Sequence, residues 1–193
     1  MAKVKLRFRM ATEVVGKGNG GLLVLTDKQS ERQVAIPCDA DTLAAFSMRM
    51  DAGDDYSRSL PDVLVDILSW QTNLNLEIVF DGVRDGAYHA VVSNRDTLDQ
   101  MPIRDSEAVL LNFISKDKIP LYMDEALFVR QSTRFDATAR GVAMPINSIT
   151  DAMLEEALKK AVADENYELA SQLNDEMKRR KLKDGNKEAT EKA

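Results

Sequence analysis

The residues best suited to chemistry are the run Arg104-Asp105-Ser106-Glu107 and, further up the chain, Asp39 and Asp41. Hydrolysing a phosphodiester needs a positioned water, charge stabilisation at the phosphate and, in most cases, a metal ion held by two or more carboxylates. Asp105 and Glu107 at a helix start, brought against Asp39 or Asp41, could hold such an ion, with Arg104 as the phosphate clamp. Acidic residues also suit a helix N-terminus for capping and dipole reasons, so their position leaves both readings open. His89, the only histidine, lies in a predicted strand with no partner at metal-site spacing. Cys38 has no histidine beside it and reads as a small core side chain. Gly16, Gly18, Gly20 and Gly21 lack the strand-to-helix context of a phosphate loop and fit a hairpin turn.

Placing these residues takes a domain, and 193 residues with 44% apolar content suffice for one medium domain and an appendage. A single cysteine excludes an internal disulfide and a thiolate metal cluster, which points to the cytoplasm. The first nine residues alternate charge with apolar side chains, so no signal peptide is expected, and no apolar run approaches membrane-spanning length. A net charge of −6 excludes a strongly basic surface but permits a local basic patch or a metal-bridged phosphate contact, leaving nucleic acid open as a partner.

The pattern predicts an α+β fold: a mixed or antiparallel sheet with packed helices, followed by a C-terminal helical hairpin. Val4, Leu6, Phe8 and Met10 alternate with Lys3, Lys5, Arg7 and Arg9, giving a strand whose basic face either lines a phosphate track or protects an exposed edge. A turn at residues 17–21, a buried strand from Leu22 and another at Gln33 to Cys38 follow. A helix fits Asp41 to Met50, and the polar stretch from Asp51 to Ser59 breaks it and suits a mobile loop. Pro61 suits the first turn of a second helix, whose Val63, Leu64, Ile67, Leu68 and Trp70 read as core. A hairpin joins Leu76–Phe80 to Ala87–Ser93, a buried helix starts near Ser106, and a further helix covers Asp124 to Arg130. The expected divisions are an α+β domain over 1–130, a linker over 131–148, a helical hairpin over 149–183 and a disordered tail over 184–193.

In the hairpin, Ile149 and Leu154 flank Thr150 as a hydrophobic staple around a cap, and Leu154, Leu158 and Ala161 continue one face. Asn166 caps a second helix with an apolar stripe of Tyr167, Ala170, Leu173 and Met177. Two short helices bury little, so the stripe is expected to meet a second copy, another protein or the main domain, and a homo-oligomer is expected.

The run Leu154-Glu155-Glu156-Ala157-Leu158-Lys159-Lys160-Ala161, followed by Asn166-Tyr167-Glu168-Leu169-Ala170-Ser171-Gln172-Leu173-Asn174-Asp175-Glu176, resembles the UVR motif of excinuclease subunits. The resemblance implies protein association, with Tyr167, Ala170 and Leu173 as the contact stripe and Asp175 and Glu176 as its polar edge. Upstream, Arg104-Asp105-Ser106-Glu107-Ala108-Val109 and Ile119-Pro120-Leu121-Tyr122 are similar to the Arg-x-Ser-Asp-Ala-Ile and Pro-Ile-Tyr fragments of the bifunctional nuclease (DNase/RNase) domain family. That implies a nuclease, with Arg104, Ser106 and Glu107 carried over to the site; with Asp39 and Asp41, the nearby acids named above, Glu107 makes the expected metal-binding set for Mg2+ or Mn2+. Leu60-Pro61-Asp62 stands where that family has Thr-His-Asp, and Thr42 where it has a glutamate. These departures support an alternative, a non-catalytic adaptor that keeps the fold without the chemistry.

Overall fold

The computed structural model describes residues 2–14, 20–52, 59–136, 142 and 144–190, with 51–52 and 183–190 as backbone only. The turn expected at 17–21 lies largely outside the described residues, as do most of the polar stretch 51–59 and part of the linker. Two compact units divide at residues 145 and 146.

The first unit is built on a mixed sheet of eight strands. They are β1 (Lys3–Glu13), β2 (Gly21–Thr26), β3 (Arg32–Cys38), β4 (Leu76–Arg84), β5 (Ala87–Asn94), β6 (Gln100–Ile103), β7 (Leu121–Asp124) and β8 (Thr133–Arg134). Their order is β6-β5-β4-β7-β1-β2-β3-β8, with β4 and β7 parallel and the other neighbours antiparallel. The β4–β5 connection turns at Asp85 and Gly86, whose φ angles of 49° and 82° are those of a type I′ hairpin turn. The expected linker contributes β8, which extends the sheet by pairing with β3.

β1 lies inside the sheet, between β7 and β2, so its basic row does not protect an edge. Three of its four cations are engaged: Lys3 with Glu77 at 2.5 Å, Lys5 with Asp117 at 2.6 Å, and Arg9 with Thr26 at 3.0 Å and with Ser30. Its apolar residues enter the core through Leu6, which is fully buried, and Phe8, while Met10 is exposed beyond a register shift.

Among the described residues, this unit has four α-helices: α1 (Ala40–Ala52), α2 (Leu60–Trp70), α3 (Asp105–Ile114) and α4 (Glu125–Gln131). Phe8 of β1, Phe46 of α1 and Phe113 of α3 form a three-ring cluster with centroids 4.9, 5.1 and 5.2 Å apart, fixing both helices on the sheet. Gly21 permits the close seat of α1, because a Cβ there would stand 2.8 Å from Leu43 and from the Thr12 carbonyl. α3 is buried through Ala108, Val109, Leu110 and Leu111, as its almost unbroken apolar sequence requires. α2 departs from expectation: Val65 is buried and Leu68 partly so, but Leu60, Val63, Leu64, Ile67 and Trp70 are exposed rather than core.

The second unit contains a 3-10 turn (Ile146–Ser148), α5 (Asp151–Ala163) and α6 (Tyr167–Thr190). Thr150 caps α5 by accepting the Met153 N–H at 3.3 Å, and Asn166 caps α6 by accepting that of Leu169 at 3.2 Å. Ile149 and Leu154 join one apolar cluster, as a staple does. Leu154, Ala161, Ala170 and Leu173 are buried at the centre of that cluster, with Leu158 and Met177 packed against it. Most of the stripe expected to meet a partner is therefore the hairpin's own core, and Tyr167 alone of its residues is largely exposed. α6 continues to Thr190, so the expected tail is helical over 184–190.

Glu176 is buried and held by Arg179 and Arg180 rather than lying on a polar edge. Arg180 also donates to the carbonyls of Ile149 at 2.8 Å, Ile146 at 3.0 Å and Asn147 at 3.2 Å, and pairs with Asp151 at 2.7 Å. One guanidinium thus fastens the lead-in of α5 to α6. Arg180→Ala should destabilise the hairpin by about 2 kcal/mol, since it leaves one oxygen of a buried carboxylate and several carbonyls without their donor while Arg179 keeps the other oxygen. Hydrogen exchange should then accelerate at α5 and α6 amides and stay unchanged in the sheet; equal protection throughout would remove this role from Arg180.

Candidate functional site

Asp39 immediately precedes α1 and acts as its cap: its carboxylate accepts the Thr42 N–H at 2.8 Å, and its carbonyl that of Leu43 at 3.0 Å. The Thr42 backbone and side chain, and then Arg104, hold its carboxyl below the usual range. Arg104 occupies the equivalent place before α3, with its Nη1 3.3 Å from the other oxygen of Asp39. The ring cluster that docks α1 and α3 on the sheet is what brings their starts within reach of each other.

Between α1, the beginning of α2 and the beginning of α3 opens a cleft of about 380 Å³. Its lining includes Asp39, Asp41, Thr42, Arg49, Ser59, Pro61, Arg104 and Glu107. Four of the residues singled out from sequence, Asp39, Asp41, Arg104 and Glu107, therefore meet in one cavity although Asp39 and Arg104 are 65 positions apart. Among the described residues, no hydrogen bond or ion pair engages the carboxylates of Asp41 and Glu107. Three carboxylates and two guanidiniums line the cleft.

Arg49 was not anticipated from sequence. It donates to both oxygens of Asp62, to Ser59 Oγ at 2.6 Å and to the Ala45 carbonyl at 2.8 Å, tying the end of α1 to the beginning of α2. Burial pushes Asp62 up, but the hydrogen bonds from Arg49 and Ser59 outweigh it and hold the carboxyl below its ordinary value. The Ser-x-x-Asp spacing at Ser59 to Asp62, a helix-start signature, was the available local signal. Nothing local pointed to Arg49 as the partner.

Two of the candidate residues, Ser106 carried over from the family and Asp105 chosen for its chemistry, lie elsewhere. Ser106 is buried in the first turn of α3 and is not part of the cleft lining, because the helix turns that side towards the core. Asp105 accepts the N–H of Tyr88 on β5 at 3.3 Å and that of Ser106 at 2.8 Å, so it bonds α3 to the sheet rather than facing the cavity. Burial pushes its carboxyl above the ordinary range despite those bonds. Beyond the cleft, burial raises the Cys38 thiol to about 11, consistent with an inert core position. His89 has a partner after all: Asp81, at the register shift in β4, lies 2.5 Å from its Nδ1.

Among the described residues, no three His, Cys, Asp or Glu side chains group closely enough to hold a metal ion. Asp41 and Glu107 line the cleft with carboxylates that no described residue engages. No described helix is long and apolar enough to cross a membrane.

Fold and site together define an α+β domain with a helix-bounded, carboxylate-rich cleft, accompanied by a separate helical hairpin. Compared with known protein families and with curated protein sequences, the chain matches none.

Because Asp105 has a higher pKa folded than unfolded, its contribution to stability is full below about 3.9 and is lost as pH rises through the folded value. Replacing it with Asn removes this loss. The melting temperature of Asp105→Asn relative to the unsubstituted protein should therefore become more favourable from pH 3 to pH 7; a constant difference would show that the buried charge carries no penalty.

Proposed function

We propose that the cleft between α1, α2 and α3 binds the phosphodiester backbone of DNA or RNA and hydrolyses it with the aid of Mg2+ or Mn2+. The observation that carries this reading is the meeting of Arg104, Asp39, Asp41 and Glu107 in one cavity. Asp41 and Glu107 would hold the cation, which when bound supplies Lewis-acid stabilisation of the phosphate. Arg104 offers the phosphate a planar pair of N–H donors, because its exposed pairing with Asp39 at 3.3 Å is weak enough to yield. The locked Arg49–Asp62 pair fixes the far wall without entering the chemistry. The proposed compartment is the cytoplasm, consistent with a lone, buried, unpaired cysteine. The hairpin is proposed to bind a protein partner through the exposed Met153, Val162 and Tyr167, since Leu173 serves its own core.

A second reading, an adaptor without catalysis, is favoured by Pro61, which lines the cleft where the resembled family has a histidine, and by the hold of Arg49 and Ser59 on Asp62 beside it. The deciding assay is cleavage of single- and double-stranded DNA and RNA by purified protein with Mg2+ or Mn2+. Activity should disappear with a chelator and fall about a hundredfold or more in Glu107→Ala, the scale of losing one charge-stabilising group. Absence of cleavage, or cleavage that survives Glu107→Ala, favours the adaptor.

For the hairpin, Tyr167→Asp should leave hydrogen-exchange protection of α5 and α6 unchanged, whereas Leu173→Asp should abolish it by placing a charge in the buried cluster. Equal protection in both variants would contradict this division between surface and core.

A further inference from the structure

One apolar surface serves neither the core nor the cleft. On α2, Leu60, Val63, Leu64, Ile67 and Trp70 are 40–80% exposed, and their spacing of three, one, three and three residues places them along one side of the helix. The opposite side is occupied, with Val65 buried in the core, Leu68 packed against it and Asp62 bound to Arg49. No charged residue interrupts the stripe. Asp62 and Asp66 fall between its members in sequence, and Lys118 lies over the Trp70 ring at 4.9 Å, at the stripe's C-terminal end.

We propose that this side of α2 is the contact through which two copies of the chain pair about a twofold axis. Each copy offers roughly 500 Å² of apolar surface along the stripe, in the upper part of the roughly 300–600 Å² of the largest, often functional, patch on a monomer. Two such faces, fully covered, would bury about 1,000 Å², which reaches the lower bound of a specific interface, and flanking residues would add to it. The shape agrees with this occupant. A helix is a convex ridge that offers no socket for a small molecule or an extended peptide, while a second ridge crossing it can interlock side chains along its length. A twofold contact is also self-complementary by construction, and an uncharged stripe meets its own copy without like-charge repulsion. The inference is independent of the chemistry proposed for the cleft, and it bases the expected homo-oligomer on α2 rather than on the hairpin stripe.

The experiment is sedimentation equilibrium of the full chain at concentrations up to about 100 µM, tenfold above a Kd of ~10 µM. The average mass of the unsubstituted protein should rise with concentration towards twice the chain mass, reaching about 1.8 times it at the top of this range. Leu64→Glu combined with Ile67→Glu should sediment at the chain mass with unchanged circular dichroism and melting temperature, because both side chains stand about half exposed. A second arm uses the burial of Cys38, the only native thiol, so that a thiol introduced at the contact is the reactive one. Under mild oxidation, at least one of Leu60→Cys, Leu64→Cys and Ile67→Cys should form a covalent dimer, as residues near a twofold axis meet their own copies. A monomer at every concentration, a dimer that survives the double substitution, or failure of all three cysteine variants to cross-link would overturn the proposal.

Discussion

The contact of Phe8, Phe46 and Phe113 is the constraint on which the first unit's geometry depends. Rings at about 5 Å from one another join an internal strand to two helices that are far apart in sequence. Buried aromatic clusters of this kind combine large apolar area with a preferred geometry, so they set orientation as well as stability. With α1 and α3 seated on the same strand, their starts converge, and the polar residues there have to satisfy one another. Asp39 and Arg104 do so across the cleft entrance. The cavity is thus a consequence of apolar packing several residues away from its charged lining.

Much of the fold was legible because local chemistry decides it. Asp85-Gly86 makes a type I′ turn, Pro61 falls in the first turn of α2, and Thr150 and Asn166 cap the hairpin helices through their own side chains. What periodicity cannot reveal is what covers an apolar face. The stripe on α2 and the stripe containing Leu173 look alike in sequence, yet the first is exposed and the second is buried within its hairpin. Interior placement of β1 was likewise hidden, since its alternation describes a strand with two different faces whether its neighbours number one or two.

The site was legible in the same partial way. Arg104, Glu107, Asp39 and Asp41 share a cavity, but Asp105 and Ser106, their immediate sequence neighbours, do not. Successive residues in a helix point about 100° apart, so a motif at a helix start is divided between core and solvent by the helix itself. Asp105 bonds the sheet and Ser106 enters the interior, leaving Arg104 and Glu107, three positions apart, on the same side.

The two arginines of the cleft differ in what they are free to do. Arg49 has a side chain only 8% exposed and bonds Asp62, Ser59 and the Ala45 carbonyl, so withdrawing it would leave a carboxylate uncompensated in a half-buried wall. Arg104 is 66% exposed, and its one ion pair, to a carboxylate that is itself 52% exposed, has the long separation of 3.3 Å. Exposed pairs of this kind are worth about 1 kcal/mol or less. Under the proposed function, a phosphate accepting two N–H bonds from the guanidinium would displace Asp39 from Arg104 at little cost, while the Asp39 carboxylate would keep its hydrogen bond from the Thr42 N–H. The architecture thus separates a rigid cation that shapes the wall from an adjustable one at the mouth, and the second is the arginine suited to meet a ligand.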